Sequence, residues 1–339
     1  MSDSSRSASI TLKRKPVVKA PHPIISLLIR RIILGIITLL VVSVVIFAAT
    51  QVLPGNAATA ILGHSASPAQ LRALEQQLHL DRSVFDQYAS WISGILTGNP
   101  GTSLVNGMPV WNIVGPAVIN STVLVVLSGL IGTIVGIALG ALAALRKDSP
   151  FDKASSAIAL TVTALPEFVV AIVLIMVFAT VLLHVLPAVS DLPPGAYPWA
   201  EPRLLVLPVA TLVIVIVPYI FRMTRGATIE ALASDYVELA RLKGLRPLRI
   251  LVAHALVNAI APVVQVLGLT FLYLAGGIVV VEYVFAYPGI GEGLVSAVNN
   301  RDVPTIQLIV LILAGFYVAV NIVSDIAALL ATPRRRIPR

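Results

Sequence analysis

Six long apolar stretches alternate along this chain with shorter polar segments. They cover roughly residues 32–53, 118–145, 157–186, 204–221, 262–285 and 305–331. A helix needs about 20 mostly apolar residues to cross the hydrocarbon of a bilayer, so each stretch predicts one spanning helix. The fourth is the shortest and carries Pro208 and Pro218, which predicts a kink. The pattern as a whole predicts an all-α integral membrane protein. A six-span domain occupies residues 26–332, between a polar tail at 1–25 and a basic tail at 333–339.

One polar segment, residues 54–117, is long enough to fold on its own face of the membrane as a small cap. Ser67, Pro68 and Gln70 make a helix start, with Leu71, Leu74 and Leu78 following on one face. A second amphipathic helix is predicted from Ser83, burying Phe85, Tyr88, Ile92 and Leu96. Gly98-Asn-Pro-Gly-Thr102 then breaks the chain.

Composition agrees with lipid as the surrounding solvent. Hydrophobic residues make up 57% and charged residues 12%, where a soluble domain carries about a quarter of its residues charged. Mean hydropathy is +0.93. The net charge of +8 would by itself admit a nucleic-acid partner, but its placement argues otherwise. Of the 24 lysines and arginines, only Arg72, Arg82, Arg203 and Arg301 fall in segments on the face opposite the termini. By the positive-inside rule both termini and the loops at 146–153 and 222–249 are expected in the cytoplasm. The basic charge thus marks topology, and no nucleic-acid partner is expected. Residues 1–31 are polar and basic, and the apolar run after them is too long for a signal peptide, so no cleaved leader is expected. With no cysteine in the chain, disulfides and thiol chemistry are excluded.

No catalytic constellation is visible. His22, His64, His79, His184 and His254 stand alone, without paired ligand spacing, so no metal site is expected. None of Lys147, Lys153 or Lys243 sits in a phosphate-binding glycine loop, so any ATP must bind another chain. Glu167, beside Pro166, falls inside the third apolar stretch, where an ionised side chain is costly unless it meets water or a partner. It either lines a pathway or packs, hydrogen-bonded, beside the proline. Glu282 and Asp325 fall nearer span ends, which suits interfacial or inter-helix roles. Gly132, Gly136 and Gly140 recur every four residues in the second stretch, a spacing that lets two helix backbones approach closely. Their partner is either another helix of this bundle or a second subunit. An ion-coupled secondary transporter would need polar coupling residues within its spans, and only Glu167 and Asp325 offer themselves.

The segment at 226–261 is the most informative. Asp235 and Glu238 mark a helix start, Tyr236, Leu239 and Ala240 give an apolar face, and Arg241 and Lys243 load the last turn before Gly244. A second helix resumes near Pro247. Helix, glycine turn and helix would make a rigid knob able to carry a push from a soluble partner; the alternative is a solvated connecting loop.

Here the chain resembles the dipeptide/oligopeptide branch of the ABC importer permeases, the binding-protein-dependent transport system inner-membrane components. Tyr236-Val-Glu-Leu-Ala-Arg-Leu-Lys-Gly244, followed by His254-Ala-Leu-Val-Asn258 and Pro262, looks like their EAA coupling loop. Glu282-Tyr-Val-Phe-Ala-Tyr-Pro-Gly-Ile-Gly291, then Asn300-Arg-Asp302 and Pro304, is similar to the block after their fifth span. The long segment after span one resembles the first permease of such pairs. Val257 stands where the general consensus has proline, and Thr332 where an acidic residue is usual. The resemblance implies a bacterial cytoplasmic-membrane importer with a homologous second permease, two cytoplasmic ATPase subunits that hold ATP and Mg, and an extracytoplasmic solute-binding protein. It implies no cofactor in this chain and no enzymatic role for it. The branch handles peptides, and some of its members nickel, glutathione or other small solutes.

Overall fold

The computed structural model describes residues 23–52, 67–77, 82–193 and 195–331, and these form helices joined by short loops. Both predicted tails fall almost wholly outside the described residues, as do Leu78 of the first cap helix and residues 53–66. Helix α1 (Pro23–Val52) precedes the two cap helices, α2 (Pro68–Gln77) and α3 (Val84–Leu96). The body follows as α4 (Val110–Leu145), α5 (Pro150–Thr163), α6 (Glu167–Ile175) and α7 (Pro202–Leu232). The short α8 (Asp235–Leu242) and α9 (Pro247–Ile250) lead into α10 (Leu256–Val284), and α11 (Ile290–Asn299) and α12 (Val303–Ala331) complete it.

Among the described residues five helical segments are long and apolar enough to cross a membrane alone: α1, α4, α7, α9 with α10, and α12. The third apolar stretch is different. It is two helices, α5 and α6, bent by 106° at residues 164–166. Ser149 caps α5 by accepting from the Asp152 amide, with Pro150 at the first helical position, so the helix starts earlier than the hydropathy suggested. Pro166 lacks an amide hydrogen and caps α6, which makes residues 164–166 a natural break. The single spanning helix expected over 157–186 is therefore corrected to two helices with a sharp bend between them, ending in a wide turn at Met176–Thr180. The fourth stretch departs in the other direction, since α7 runs 31 residues and continues through both Pro208 and Pro218.

The glycine stripe finds its partner within the bundle. A Cβ on Gly132 would lie 2.5 Å from Ile216 Cδ1, and one on Gly136 2.7 Å from Ile220 Cβ. On Gly140 it would lie 2.6 Å from the Phe221 carbonyl oxygen. Helix α4 thus lies directly on α7, and the alternative of a second subunit is set aside for these residues. Gly140 is the least forgiving, because its neighbour is backbone and cannot rotate away. Gly140→Ala is expected to cost about 1–3 kcal/mol by overpacking, read as a lower thermal midpoint of the detergent-purified protein. An unchanged midpoint would contradict this packing.

The main core lies where α4, α7 and α10 meet, around Leu124, Leu212, Ile216, Leu274 and Ile278. Helix α1 lies outside it and keeps Ile36, Leu40, Val41 and Val45 exposed, an apolar face suited to lipid or to another membrane helix. Polar pairs fix it to α12 at both ends: Arg31 with Asp325 at 2.5 Å, and the Gln307 amide donating to Thr50 Oγ1 at 2.8 Å. Asp325 is therefore an inter-helix residue, as its place near a span end suggested.

The cap helix α3 starts at Ser83, whose hydroxyl accepts from the Asp86 amide at 3.1 Å. Its inward face is the expected one at Tyr88 and Ile92 and differs at Phe85 and Leu96. Tyr88 and Trp91 cluster with Phe47 of α1, and Tyr88 and Ser43 share a 2.8 Å hydrogen bond. Phe85 is 77% exposed and Leu96 81%. The expectation that these two are buried is corrected, because the aromatic side chains one turn along find ring partners on α1.

Candidate functional site: the knob and the helices it joins

The knob predicted at 234–249 forms as a helix, a glycine turn and a second helix. Helix α8 carries Asp235 and Glu238 in its first turn and Arg241 in its last, each sign suited to the helix dipole there. Ser234 precedes it, but its hydroxyl donates to the Ala231 carbonyl and leaves the amides of α8 uncapped by a side chain. Gly244 ends the turn at φ +74, a left-handed conformation that glycine adopts without the clash of a Cβ. The Leu245 amide then donates back to the Ala240 carbonyl at 3.3 Å.

The faces of α8 divide differently from the sequence expectation. Val237 and Ala240 are buried, packed on Ile250 with Leu232 and Leu245 around them. Leu239 is 59% exposed and Leu242 78%, alongside the exposed Glu238, Arg241 and Lys243. Ala240 thus faces inward as expected, whereas Tyr236 and Leu239 do not share its face. Tyr236 has a separate task. Its hydroxyl accepts from the Asn258 side chain at 3.0 Å, and the same amide donates to the His254 carbonyl at 2.7 Å. That link ties α8 to the start of α10 and accounts for Tyr236, His254 and Asn258 as parts of one device. The apolar patch of Leu239 and Leu242, ringed by charge, has no partner among the described residues.

Movement of this knob would pass to two places. Helix α8 follows α7 after two residues, and α9 continues through a wide turn at Leu251–Ala255 into α10. Arg225, near the end of α7, forks onto Asp152 with Nε at 2.5 Å and Nη2 at 2.7 Å. Asp152 is nearly fully buried and also accepts the Asp148 amide at 2.9 Å. A two-pronged contact of this kind fixes orientation as well as distance. It joins α5 to α7, so α5 is held to the same lever. Sequence reasoning missed it; an aspartate in the first turn of a capped helix was the available signal.

Glu167 begins α6 just after the bend, half-buried, while Pro166 is exposed. Its carboxylate faces the Tyr273 hydroxyl on α10. A Cβ on Gly277 would lie 3.1 Å from Glu167 Oε1. Tyr273 and Tyr219 of α7 place their ring centroids 5.8 Å apart, at one end of a cavity of about 690 Å³ between α7 and α10. Glu167 is thus positioned behind an aromatic pair at a cavity, and neither it nor Pro166 lines that cavity directly.

The block beginning at Glu282 is a structural clasp on the face away from the knob. Glu282 is fully buried and accepts from Ser121 Oγ at 2.5 Å and from the Gly291 amide at 2.6 Å. Ser121 Oγ accepts the Ile290 amide at 2.7 Å, and Asn120 Nδ2 donates to the Pro288 carbonyl at 2.7 Å. The Tyr287 hydroxyl donates to the Asn120 carbonyl at 3.0 Å. Burial, and then the nearby Glu282 carboxylate, push that phenol above its ordinary pKa and keep it a donor. Gly289 and Gly291 leave no room for a side chain beside the Glu282 carboxylate. Asp302 makes a second clasp, accepting from Ser103 Oγ at 2.5 Å, the Leu104 amide at 3.0 Å and Thr305 Oγ1 at 2.7 Å. It holds the end of the cap segment against the start of α12.

Comparison with known proteins agrees with this arrangement. Residues 136–337 match the family described as binding-protein-dependent transport system inner membrane component. Residues 24–122 match the N-terminal part of such membrane components. A protein named as a probable peptide ABC transporter permease from Sinorhizobium fredii is 34% identical over 311 residues, 91% of this chain and 98% of that one. One named as a putative peptide transport system permease from Brucella abortus is 33% identical, over 92% and 99%. The glutathione transport system permease of Escherichia coli is 35% identical over 295 residues, 87% of this chain and 94% of that one. An all-α membrane bundle, a knob built from the Tyr236–Gly244 motif and matches over nine-tenths of the length place this chain in the binding-protein-dependent transport system inner-membrane component family, the permease subunits of ABC importers.

Proposed function

We propose that this chain, with a homologous second permease, forms the path by which peptides enter a bacterial cell through the cytoplasmic membrane. In this reading two ATPase subunits carry ATP and Mg on the cytoplasmic side, and a solute-binding protein delivers peptide to the opposite face. Both termini and the knob are cytoplasmic, which the distribution of lysine and arginine supports. The observation that carries the proposal is the outward face of α8, where Leu239 and Leu242 lie exposed inside a ring of Glu238, Arg241 and Lys243. An apolar patch on a short helix, braced through Val237 and Tyr236, is suited to a groove on a soluble partner. Closure of the ATPases on ATP would then push α8, tilt α7 and α10, and open the path to alternate faces, because the two ATPase states contact the knob differently.

Substrate class rests on the names of relatives, two peptide permeases and one glutathione permease. The test is uptake by vesicles that hold this chain together with its second permease, ATPases and binding protein. Labelled di- and tripeptides, glutathione among them, are expected to enter only with ATP inside the compartment of the ATPases. Entry should persist when proton and sodium gradients are collapsed. Uptake that stops with the gradients while ATP remains would instead favour an ion-coupled carrier.

A further inference from the structure

The cavity between α7 and α10 has one wall that the importer reading leaves unexplained. Tyr219, Arg222, Met223, Gly226 and Glu230 of α7 face it, with Thr270 and Tyr273 on the opposite wall. Arg222, Gly226 and Glu230 follow at four-residue intervals and share one helix face, so the Cα atoms that carry the cation and the anion stand about 12 Å apart along the axis. Neither has an ion-pair partner among the described residues. Between them a Cβ on Gly226 would meet nothing within 4 Å, so the middle of the wall is open space. The Tyr219–Tyr273 pair, backed by Glu167, closes one end.

We infer that this groove is a docking station for short zwitterionic peptides, with Arg222 receiving the C-terminal carboxylate and Glu230 the N-terminal ammonium. The inference rests on the peptide-importer reading and deepens it. Its size fits: about 690 Å³ falls in the range of small-ligand sites, and an extended chain spans about 3.3–3.6 Å per residue. Ends about 12 Å apart, with two side chains reaching in, therefore select two to four residues. Apolar groove walls accept varied side chains while the two charges read only the termini. A single amino acid would reach one charge and leave the other unmet.

Three variants test this in the complete importer, with uptake of a labelled tripeptide as the readout. Arg222→Gln and Glu230→Gln are each expected to lower uptake about tenfold, the scale of one lost charge-assisted hydrogen bond. Arg222→Lys and Glu230→Asp should recover most of it. Basal ATP hydrolysis and the binding protein's affinity for the peptide should not change, which a merely structural role would not predict. A Cβ on Gly226 would point into open space, so Gly226→Phe is expected to block the groove and abolish uptake, with normal amounts of the assembled complex in the membrane fraction as the control. A tripeptide carrying a photoreactive side chain should crosslink to residues 219–230 or 262–273 during ATP turnover. Wild-type uptake by Gly226→Phe, or crosslinks confined to other helices, overturns the docking station and leaves the peptide importer standing. Absence of any peptide uptake by the unaltered complex overturns both.

Discussion

Replacing Gly244 with valine is expected to abolish ATP-driven uptake while leaving the chain inserted in the membrane. Gly244 sits at φ +74, where a β-branched residue is a genuine outlier and the cost is about 1–2 kcal/mol. A Cβ there would meet no atom within 4 Å, so the damage is to conformation and not to packing. The chain can relieve the strain only by leaving the left-handed region, and that carries Leu245 away from Val237, Ala240 and Ile250. The knob would lose its inner face and mis-aim Leu239 and Leu242. Insertion should survive, since the spanning helices do not depend on this turn. Glu238→Lys tests the same surface without touching the backbone. Glu238 is exposed in the first turn of α8, where reversing its charge costs about 0.3–1 kcal/mol through the helix dipole. That is too little to unfold the knob, so lost uptake would report lost docking. The measurement pairs the amount of chain in the membrane fraction with ATP-dependent uptake and with ATP hydrolysis by the assembled complex. Normal uptake in both variants sinks the coupling role of α8.

Much of this architecture was legible because lipid imposes a simple rule on sequence. A run of apolar residues near Ile36 or Val318 has few fates other than a spanning helix, and the stripe at Gly132, Gly136 and Gly140 announces a close helix contact. What the stripe does not say is which helix lies on it. That answer comes from Ile216, Ile220 and Phe221, whose bulk complements the gap from more than 80 residues away. The bend at 164–166 was hidden for a related reason. Pro166 beside Glu167 marks a break, but the apolar residues on either side read as one stretch, and nothing in hydropathy gives a turn of 106°. Short amphipathic helices were located correctly and faced wrongly. Helix α8 carries two apolar stripes, Val237 with Ala240 and Leu239 with Leu242, and periodicity alone cannot rank them. The choice is made by Leu245 and Ile250, brought underneath only after the turn at Gly244. Helix α3 repeats the lesson in part, since Tyr88 turns inward as expected but Trp91 joins it in place of Phe85 and Leu96, because Phe47 of α1 is there to receive both rings.

Glu282→Ala is expected to be the most destabilising single change in the chain. The carboxylate is fully buried and is the common acceptor for Ser121 Oγ on α4 and the Gly291 amide on α11. Its removal strands donors whose partners have gone, at about 1–3 kcal/mol each. It also leaves a void that Gly289 and Gly291, having no side chains, cannot fill. The loss spreads, because Ser121 Oγ also anchors the Ile290 amide at the start of α11. A total of roughly 3–6 kcal/mol follows from these two contributions, comparable to the whole stability margin of many domains. Glu282→Gln keeps the volume but turns an amide donor toward a site built from donors, so it should recover only part of the loss. Gly289→Ala reaches the same clasp from the other side, by pressing a methyl group onto the Glu282 carboxylate. The measurement is the thermal midpoint of the detergent-purified protein, followed by tryptophan emission from Trp91, Trp111 and Trp199. All three variants should melt earlier than the unaltered chain, in the order Ala at 282, Ala at 289, Gln at 282. A Glu282→Ala protein that melts with the unaltered one would mean the carboxylate is not the keystone of this clasp. The expected result has a consequence for transport. A face fastened this firmly at Glu282 and Asp302 can serve as the fixed end of the bundle, so that a push on α8 is spent on tilting α7 and α10 instead of dispersing through the opposite face.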